Sequence, residues 1–540
     1  IGLDQEDDNT VKNPFKRYLL SRIAVDIMPH SNNDSEDQVE VESVDSLTFQ
    51  NYQLNYFPPY YYIQPTVILK NTYLKPLSLF SQQNTINAFR RFSALNTFAL
   101  VDVQYELDSM QFDLPNSSYG YLNAKIQLKP FPDYSFQTQF EGTKTGDNFG
   151  VLWQTGILQR NLFFGAEQLN LSTRIALESH TLYKNKDQTQ DVTQFLAFNA
   201  YEISPELTLK LPYIIRAKYF NFWYPSTELK LSYLFQKVPD YSREVFKFSF
   251  SQQIQPHPYH YFTFTPLELS QVKVKQFNDL KEILNIENNF FLRSSFSDQF
   301  IAAMRLNYTF NNTRLGLTQQ YFSVSIEEAG NLLSLFSASF SRDERGAYLV
   351  NKTPFAQYIR GLFEFKNYYY IARSSQTVLV NRLFFGIGVP YGNSQGLPFE
   401  KSFFAGGVNG LRGFLLRGVG PGSVPQDSIS SGIFRIGQMH VETNLEFRFS
   451  ITKVIKWAFF TDLGNVWNVP QQEINQNGSF KFSRFWKDLA WDIGTGLRLD
   501  FNFLILRLDV ASAIKNPTNA QPEAIRLYRP NWNIAINYPF

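Results

Sequence analysis

Cysteine is absent from all 540 residues, which excludes disulfide staples, thiol nucleophiles and thiolate zinc sites together. Histidine occurs five times, at His30, His180, His257, His260 and His440. The "HPYH" pair carries Pro258 and lacks a carboxylate partner, so it reads as a loop rather than a metal site. No phosphate-cradling G-x-x-x-x-G-K-[ST] loop and no Ser/His/Asp constellation stand out, so no cofactor, no metal and no enzymatic activity are expected. No run approaches the ~18 apolar residues of a membrane helix. Charge of one sign is also missing: the net charge of +2 supplies no field for nucleic acid. The balance tilts only at the start, where residues 1–60 hold 11 Asp/Glu against 4 Lys/Arg, a solvated acidic stretch. The chain opens at Ile1 with no basic n-region or apolar h-region, as expected of a mature or truncated form.

Aromatics are abundant instead: 53 Phe, 30 Tyr and 7 Trp make 17% of the residues while mean hydropathy is −0.27. A soluble core has no use for so many rings in so polar a chain. A membrane barrel does, because ring girdles sit at both interfaces while the lumen stays polar. The segment "NWNIAINYPF" at 531–540 alternates accordingly. Trp532, Ile534, Ile536, Tyr538 and Phe540 fall on one face, with Asn531, Asn533, Ala535, Asn537 and Pro539 on the other. "VETNLEFRF", "WDIGTGLRLDF" and "LILRLDVA" repeat the pattern, with Glu442, Glu446, Arg448, Asp492, Arg498, Asp500, Arg507 and Asp509 all on the inner face. Charges confined to one face of successive strands suit a hydrated barrel interior. About sixteen such segments lie between Tyr134 and Phe540. The predicted fold is therefore mostly β: a transmembrane antiparallel β-barrel of about 16 strands over 133–540, which crosses the bilayer with every backbone group paired.

Before Tyr134 the pattern changes. "RYLLSRIAVDIM" reads as a strand, followed by the acidic "SNNDSEDQ" and a Tyr/Pro-rich excursion. "NTINAFRRFSAL" places Ile86, Phe89 and Phe92 at helical spacing behind Asn84 or Thr85 as N-cap. Two alternating strands follow, with Leu122, Ala124, Ile126 and Leu128 on one face of the second. Residues 1–132 are read as a small α+β domain, with Pro130 and Pro132 at its junction.

"SFFAGGVNGLRGF" at 402–414, with "NLEFRF", "FFTDLGNVW", "DIGTGLRLD" and a terminal Phe following in order, resembles the BamA/TamA superfamily of outer-membrane assembly barrels. "RGFLLRGVGPGS" looks most like its TamA branch and the lipoprotein relative TamL. The resemblance implies that the α+β domain is a periplasmic POTRA-like unit, and that a loop around 400–437 folds back into the lumen. Its anchor motif would be Gly406, Gly407, Arg412, Gly413 and Phe414, with Glu446 and Asp462 as acidic partners of the arginine. An arginine fork can grip carboxylates bidentately where a lysine cannot.

Closing the barrel requires the first strand to meet the last. The expected lateral seam comprises Tyr134, Phe136, Thr138 and Phe140 on one side and Ile534, Ile536, Tyr538, Pro539 and Phe540 on the other, and all of these except Pro539 are expected to face outward. Pro539 has no N–H to donate and is expected to shorten the ladder. The resemblance implies a bacterial outer-membrane location. It also implies assembly or translocation of client β-barrels or autotransporter segments through this lateral gate. The partners would be outer-membrane lipids, clients and a TamB-like periplasmic protein, and no nucleic acid. A two-partner-type secretion pore and a passive porin are the alternatives.

Overall fold

A computed structural model describes residues 17–29, 45–49, 51–58, 60–108, 119–145, 148–179, 198–213, 225–239, 241–277, 293, 295–312, 317–371, 377–425, 435–469, 477–501, 504–519 and 527–540. The acidic stretch at 31–38 and residues 426–434 of the expected lumen loop lie outside them. By contacts the chain forms two units. One comprises residues 1–135 with 157–169 and 210–212, and the other holds the remainder.

The first unit contains a five-stranded sheet. Its strands are β1 (Arg17–Ile27), β2 (Asp45–Phe49), β3 (Tyr52–Tyr56), β4 (Phe98–Leu107) and β5 (Tyr119–Pro130), in the spatial order β2-β3-β1-β5-β4. The central strand β1 runs parallel to both neighbours. Helices α1 (Pro65–Asn71) and α2 (Gln82–Ala94) supply the second layer. Every second residue of β5 is buried, and Leu122, Ala124, Ile126 and Leu128 join Val25, Leu54, Ile68 and Phe92 in the core.

Two expectations are corrected in this unit. The cap of α2 is Ser81, whose Oγ accepts the Asn84 N–H at 3.4 Å, so the helix starts earlier than Asn84 or Thr85 as cap would allow. Its inward face is Ala88 and Phe92, while Ile86 and Phe89 are exposed. The hairpin β2–β3 lies between the acidic stretch and the Tyr/Pro-rich excursion, where the sequence reading places no strand. Its outer strand is exposed along its whole length, so it carries no burial periodicity to read.

The barrel lies mostly in the second unit. Its strands are β6 (Tyr134–Thr145), β7 (Asn148–Arg160), β8 (Gln168–Ser179), β9 (Ala200–Leu211), β10 (Ser226–Lys237), β11 (Tyr241–His257), β12 (His260–Gln276), β13 (Gln299–Asn311) and β14 (Thr318–Ala329). A small three-stranded sheet, β15 (Ser341–Arg342), β16 (Tyr348–Val350) and β17 (Thr353–Pro354), interrupts the series. The barrel resumes with β18 (Tyr358–Tyr370), β19 (Val378–Pro390), β20 (Met439–Ser450), β21 (Ile455–Trp467), β22 (Ala490–Asp500), β23 (Ile505–Lys515) and β24 (Asn531–Ile536). These sixteen strands neighbour one another in chain order, and β24 meets β6 to close the ring. Among the described residues no helix is long and apolar enough to cross a membrane.

Candidate functional site

The alternation of β20 sends His440, Glu442, Asn444, Glu446 and Arg448 to the buried inner face, while Leu445 and Phe447 stay exposed outside. In β21 Ala458, Phe460 and Asp462 point in and Phe459 out. Asp492 and Arg498 of β22, and Arg507 and Asp509 of β23, extend the same inner wall. The register sets Asn444 opposite Asp462, and Asp462 opposite Asp492, so carboxylates accumulate at one height. Carboxylates packed this closely need cations, because an uncompensated buried charge costs several kcal/mol.

The long connection between β19 and β20 supplies one. Arg412 has no exposed surface. Its Nε and Nη2 donate to the two oxygens of Asp462 at 2.8 and 2.9 Å, and its Nη1 donates to Glu446 Oε2 at 2.6 Å. The guanidinium lies 3.4 Å from the Phe460 ring centroid, a cation–π contact on its remaining face. Glu446 is shared: Arg448 Nε reaches it at 2.8 Å and Arg498 Nη2 at 3.2 Å. Arg498 also donates to Asp509 at 2.5 Å. The wall is thus a lattice of alternating charge.

The backbone of the loop tip is held as firmly as its arginine. Asn444 Nδ2 donates to the Gly410 carbonyl at 3.1 Å, and the Gly413 N–H donates to Asp492 Oδ2 at 2.9 Å. Arg507 Nη2 donates to Asn409 Oδ1 at 2.7 Å and to the Val408 carbonyl at 3.0 Å. Asn531 and Asn533 of the last strand donate to the Arg412 carbonyl at 3.0 and 2.9 Å. Five strands, β20 to β24, therefore hold five residues of loop. Phe414 packs beside them with Phe403, Leu411, Val419, Val466 and Ala513.

The glycines divide their work. Gly406 and Gly407 adopt φ of +103° and +98°, where a side chain is strained. Gly413 is there for proximity: a Cβ on it would lie 2.5 Å from Asp492 Cβ. Nothing in the sequence pattern marks Asp492, Arg507 or Asn409 as contacts of the loop, whereas the Asn-x-Asn on the inner face of the last segment is a signal for Asn531 and Asn533.

At the seam the ladder is short. Among the described residues β24 pairs with β6 only through Asn533 with Thr145 and Ile534 with Lys144, whereas β24 pairs with β23 from Asn531 through Ile536. Tyr134, Phe136 and Phe140 are 63%, 68% and 70% exposed. Thr138 accepts from Trp153 Nε1 at 2.9 Å, on the β7 side of its strand. Ile534 is half exposed, and Ile536 ends the strand.

The placement of Tyr538 and Phe540 corrects the expected outward set. Asn537 takes φ +68° and donates its N–H to the Ile505 carbonyl at 2.8 Å, and the chain then turns toward the charged inner wall. The Arg448 guanidinium lies 4.3 Å from the Tyr538 ring centroid and 5.5 Å from that of Phe540. Both rings thus lie within cation–π distance of Arg448, and the strand does not continue past Ile536. The ladder accordingly stops before Pro539, which is not what shortens it.

A family model described as the Omp85 superfamily domain matches residues 217–529 of the chain. Among solved structures the chain is similar to a BamA from Haemophilus ducreyi lacking POTRA domains 1–3, with a TM-score of 0.59 at 13% identity over 92% of this chain and 90% of that one. It is also similar to CdiB from Acinetobacter baumannii, with a TM-score of 0.50 at 11% identity over 96% of this chain and 90% of that one. At such identities the likeness is one of fold. No curated protein matches the sequence.

Proposed function

As the chain belongs to the Omp85 superfamily, and so is an outer-membrane β-barrel, we propose that it inserts client β-barrels or autotransporter segments through a lateral gate between β6 and β24. The observation that carries this reading is the two-pair ladder at the seam. Below Lys144 the backbone of β6 has no pairing with β24 among the described residues, and an unpaired strand edge is a template for another strand. A client's terminal strand would add there by β-augmentation, taking main-chain hydrogen bonds for affinity. The inward turn at Asn537 supports the same reading, because it withdraws the last residues from β6 and lengthens the free edge.

In this reading Arg412 is the anchor of the lumen loop. It holds the loop against β20 and β21 while the Arg412 carbonyl, bonded to Asn531 and Asn533, ties the loop to the gate strand itself. The N-terminal α+β unit acts as a POTRA-like periplasmic domain that receives clients or a TamB-like partner. The "RGFLLRGVGPGS" stretch favours the TamA/TamL branch.

The absence of native cysteine makes the test direct. Cysteines replacing Lys144 and Ile534, which pair across the seam, should form a disulfide on oxidation. In proteoliposomes offered an unfolded eight-stranded outer-membrane barrel, the oxidised protein should insert little of it, and reductant should restore insertion. Full insertion with the seam locked would refute the gate. Release of the client on the far side, instead of insertion, would favour the two-partner secretion reading.

A further inference from the structure

The limb of the loop that precedes the Arg412 tip carries a second ionic station. Lys401 Nζ lies 2.7 Å from Glu327 Oε1 and 3.4 Å from Glu268 Oε1. These glutamates are buried and belong to β14 and β12. Arg305 of β13 bridges them, at 2.6 Å to Glu327 and 2.9 Å to Glu268. Lys247 of β11 reaches Glu268 at 3.1 Å, and Tyr358 Oη of β18 donates to Glu327 at 2.6 Å. One residue before Lys401, Glu400 accepts from Arg243 Nη1 of β11 at 3.0 Å.

Apolar packing lies beside the charges. Leu397 is fully buried among Val272, Ile301, Ala303, Ala356 and Tyr358, and its carbonyl accepts the Ser295 hydroxyl at 2.7 Å. A Cβ on Gly388 would lie 2.6 Å from Leu397 Cδ1, so the wall is shaped to admit this side chain. The carboxylates of Lys401 stand on β12 and β14, and those of Arg412 on β20 and β21, with β18 and β19 between.

We propose that Lys401, supported by Glu400, is a second latch that acts independently of Arg412 and makes the loop a strap tied to two separate walls of the lumen. Lys401 is a positioning residue: it touches no client, and it sets how far the two walls can part. The proposal rests on the reading of the loop as a docked lumen element and not on client insertion. Two features of the wall make it separable from folding. Lys247 and Arg305 still face Glu268 and Glu327 when Lys401 is removed, so the wall keeps partners for both acids. The Arg412 station shares none of these residues.

The test compares Lys401→Met, Lys401→Gln and Lys401→Arg in the full chain by amide hydrogen exchange and by planar-bilayer conductance, without client. In the Met and Gln variants, peptides over 391–402 should exchange about ten-fold faster, the scale of one lost charge-assisted hydrogen bond. Peptides over 405–414 should keep their wild-type rate, and larger conductance steps should become more frequent. Arginine at 401 should restore both readings. Wild-type exchange over 391–402, or an equal rise over 405–414, would overturn the second latch. Because no client enters the assay, its failure leaves the gate test above untouched.

Discussion

Asp462 receives the Nε, Nη2 and backbone N–H of Arg412 and one further donor, Asn444 Nδ2 at 2.9 Å. Glu446, by contrast, keeps Arg448 and Arg498 if Arg412 is lost. The two acids therefore respond unequally to one substitution. In Arg412→Ala the buried Asp462 carboxylate faces Asp492 with only the Asn444 amide and the backbone N–H of residue 412 to support it, and no cation, a loss of roughly 3–5 kcal/mol to the docked loop. The loop tip should then become cleavable by added protease while the barrel still migrates as a folded species. Arg412→Lys should fall between the two, since an ammonium reproduces charge but not the fork that spans both Asp462 oxygens. Equal protease resistance in wild type and Arg412→Ala would contradict the anchor. The site was legible at this scale wherever residue type alone limits the chemistry. A glycine-flanked arginine opposite inward acids has few other uses in a barrel. Asp492 and Arg507 were less legible as loop partners because nothing in their own strands distinguishes them from lumen charges that face water.

Strands of the barrel were readable because lipid on one side and charge on the other impose a period of two that survives from β18 to β24. The same rule misled at the chain's end. Tyr538 and Phe540 continue the alternation of Trp532, Ile534 and Ile536, yet the backbone turns at Asn537 and carries both rings to Arg448. Arg448 lies far away in sequence, so the alternation alone does not reveal where the rings go. Asparagine tolerates the left-handed conformation that the turn requires, and a β-branched residue does not. Asn537→Val should cost about 1–3 kcal/mol in the inward-turned state and favour extending β24 along β6. Cross-linking yields between cysteines placed below Ile534 and Lys144 should rise, and client insertion should fall. A variant with unchanged cross-linking and unchanged insertion would show that the turn does not set the length of the seam. The hairpin β2–β3 failed to register for the opposite reason: its outer strand is solvated on both faces, leaving propensity as the only signal.

Across the whole molecule, the barrel encloses its own loop as a solid part of the interior. Leu411, Phe414, Val419 and Val424 are buried inside it, and the tip is bonded to five consecutive strands. A passive porin would leave that space to water, so conductance separates the readings. Wild-type protein in planar bilayers should give brief, small openings, because ions must pass a strap fixed at Arg412. Deleting 403–437 removes the strap but none of the strands. The exposed acids and arginines of β20 to β23 then gain water as their partner in place of the loop, which keeps the cost of the deletion tolerable. The deleted protein should show a steady conductance several-fold larger. A wild-type chain that already conducts steadily at the level of the deletion would mean that the lumen is open in the membrane, and the loop would lose its role in holding it shut.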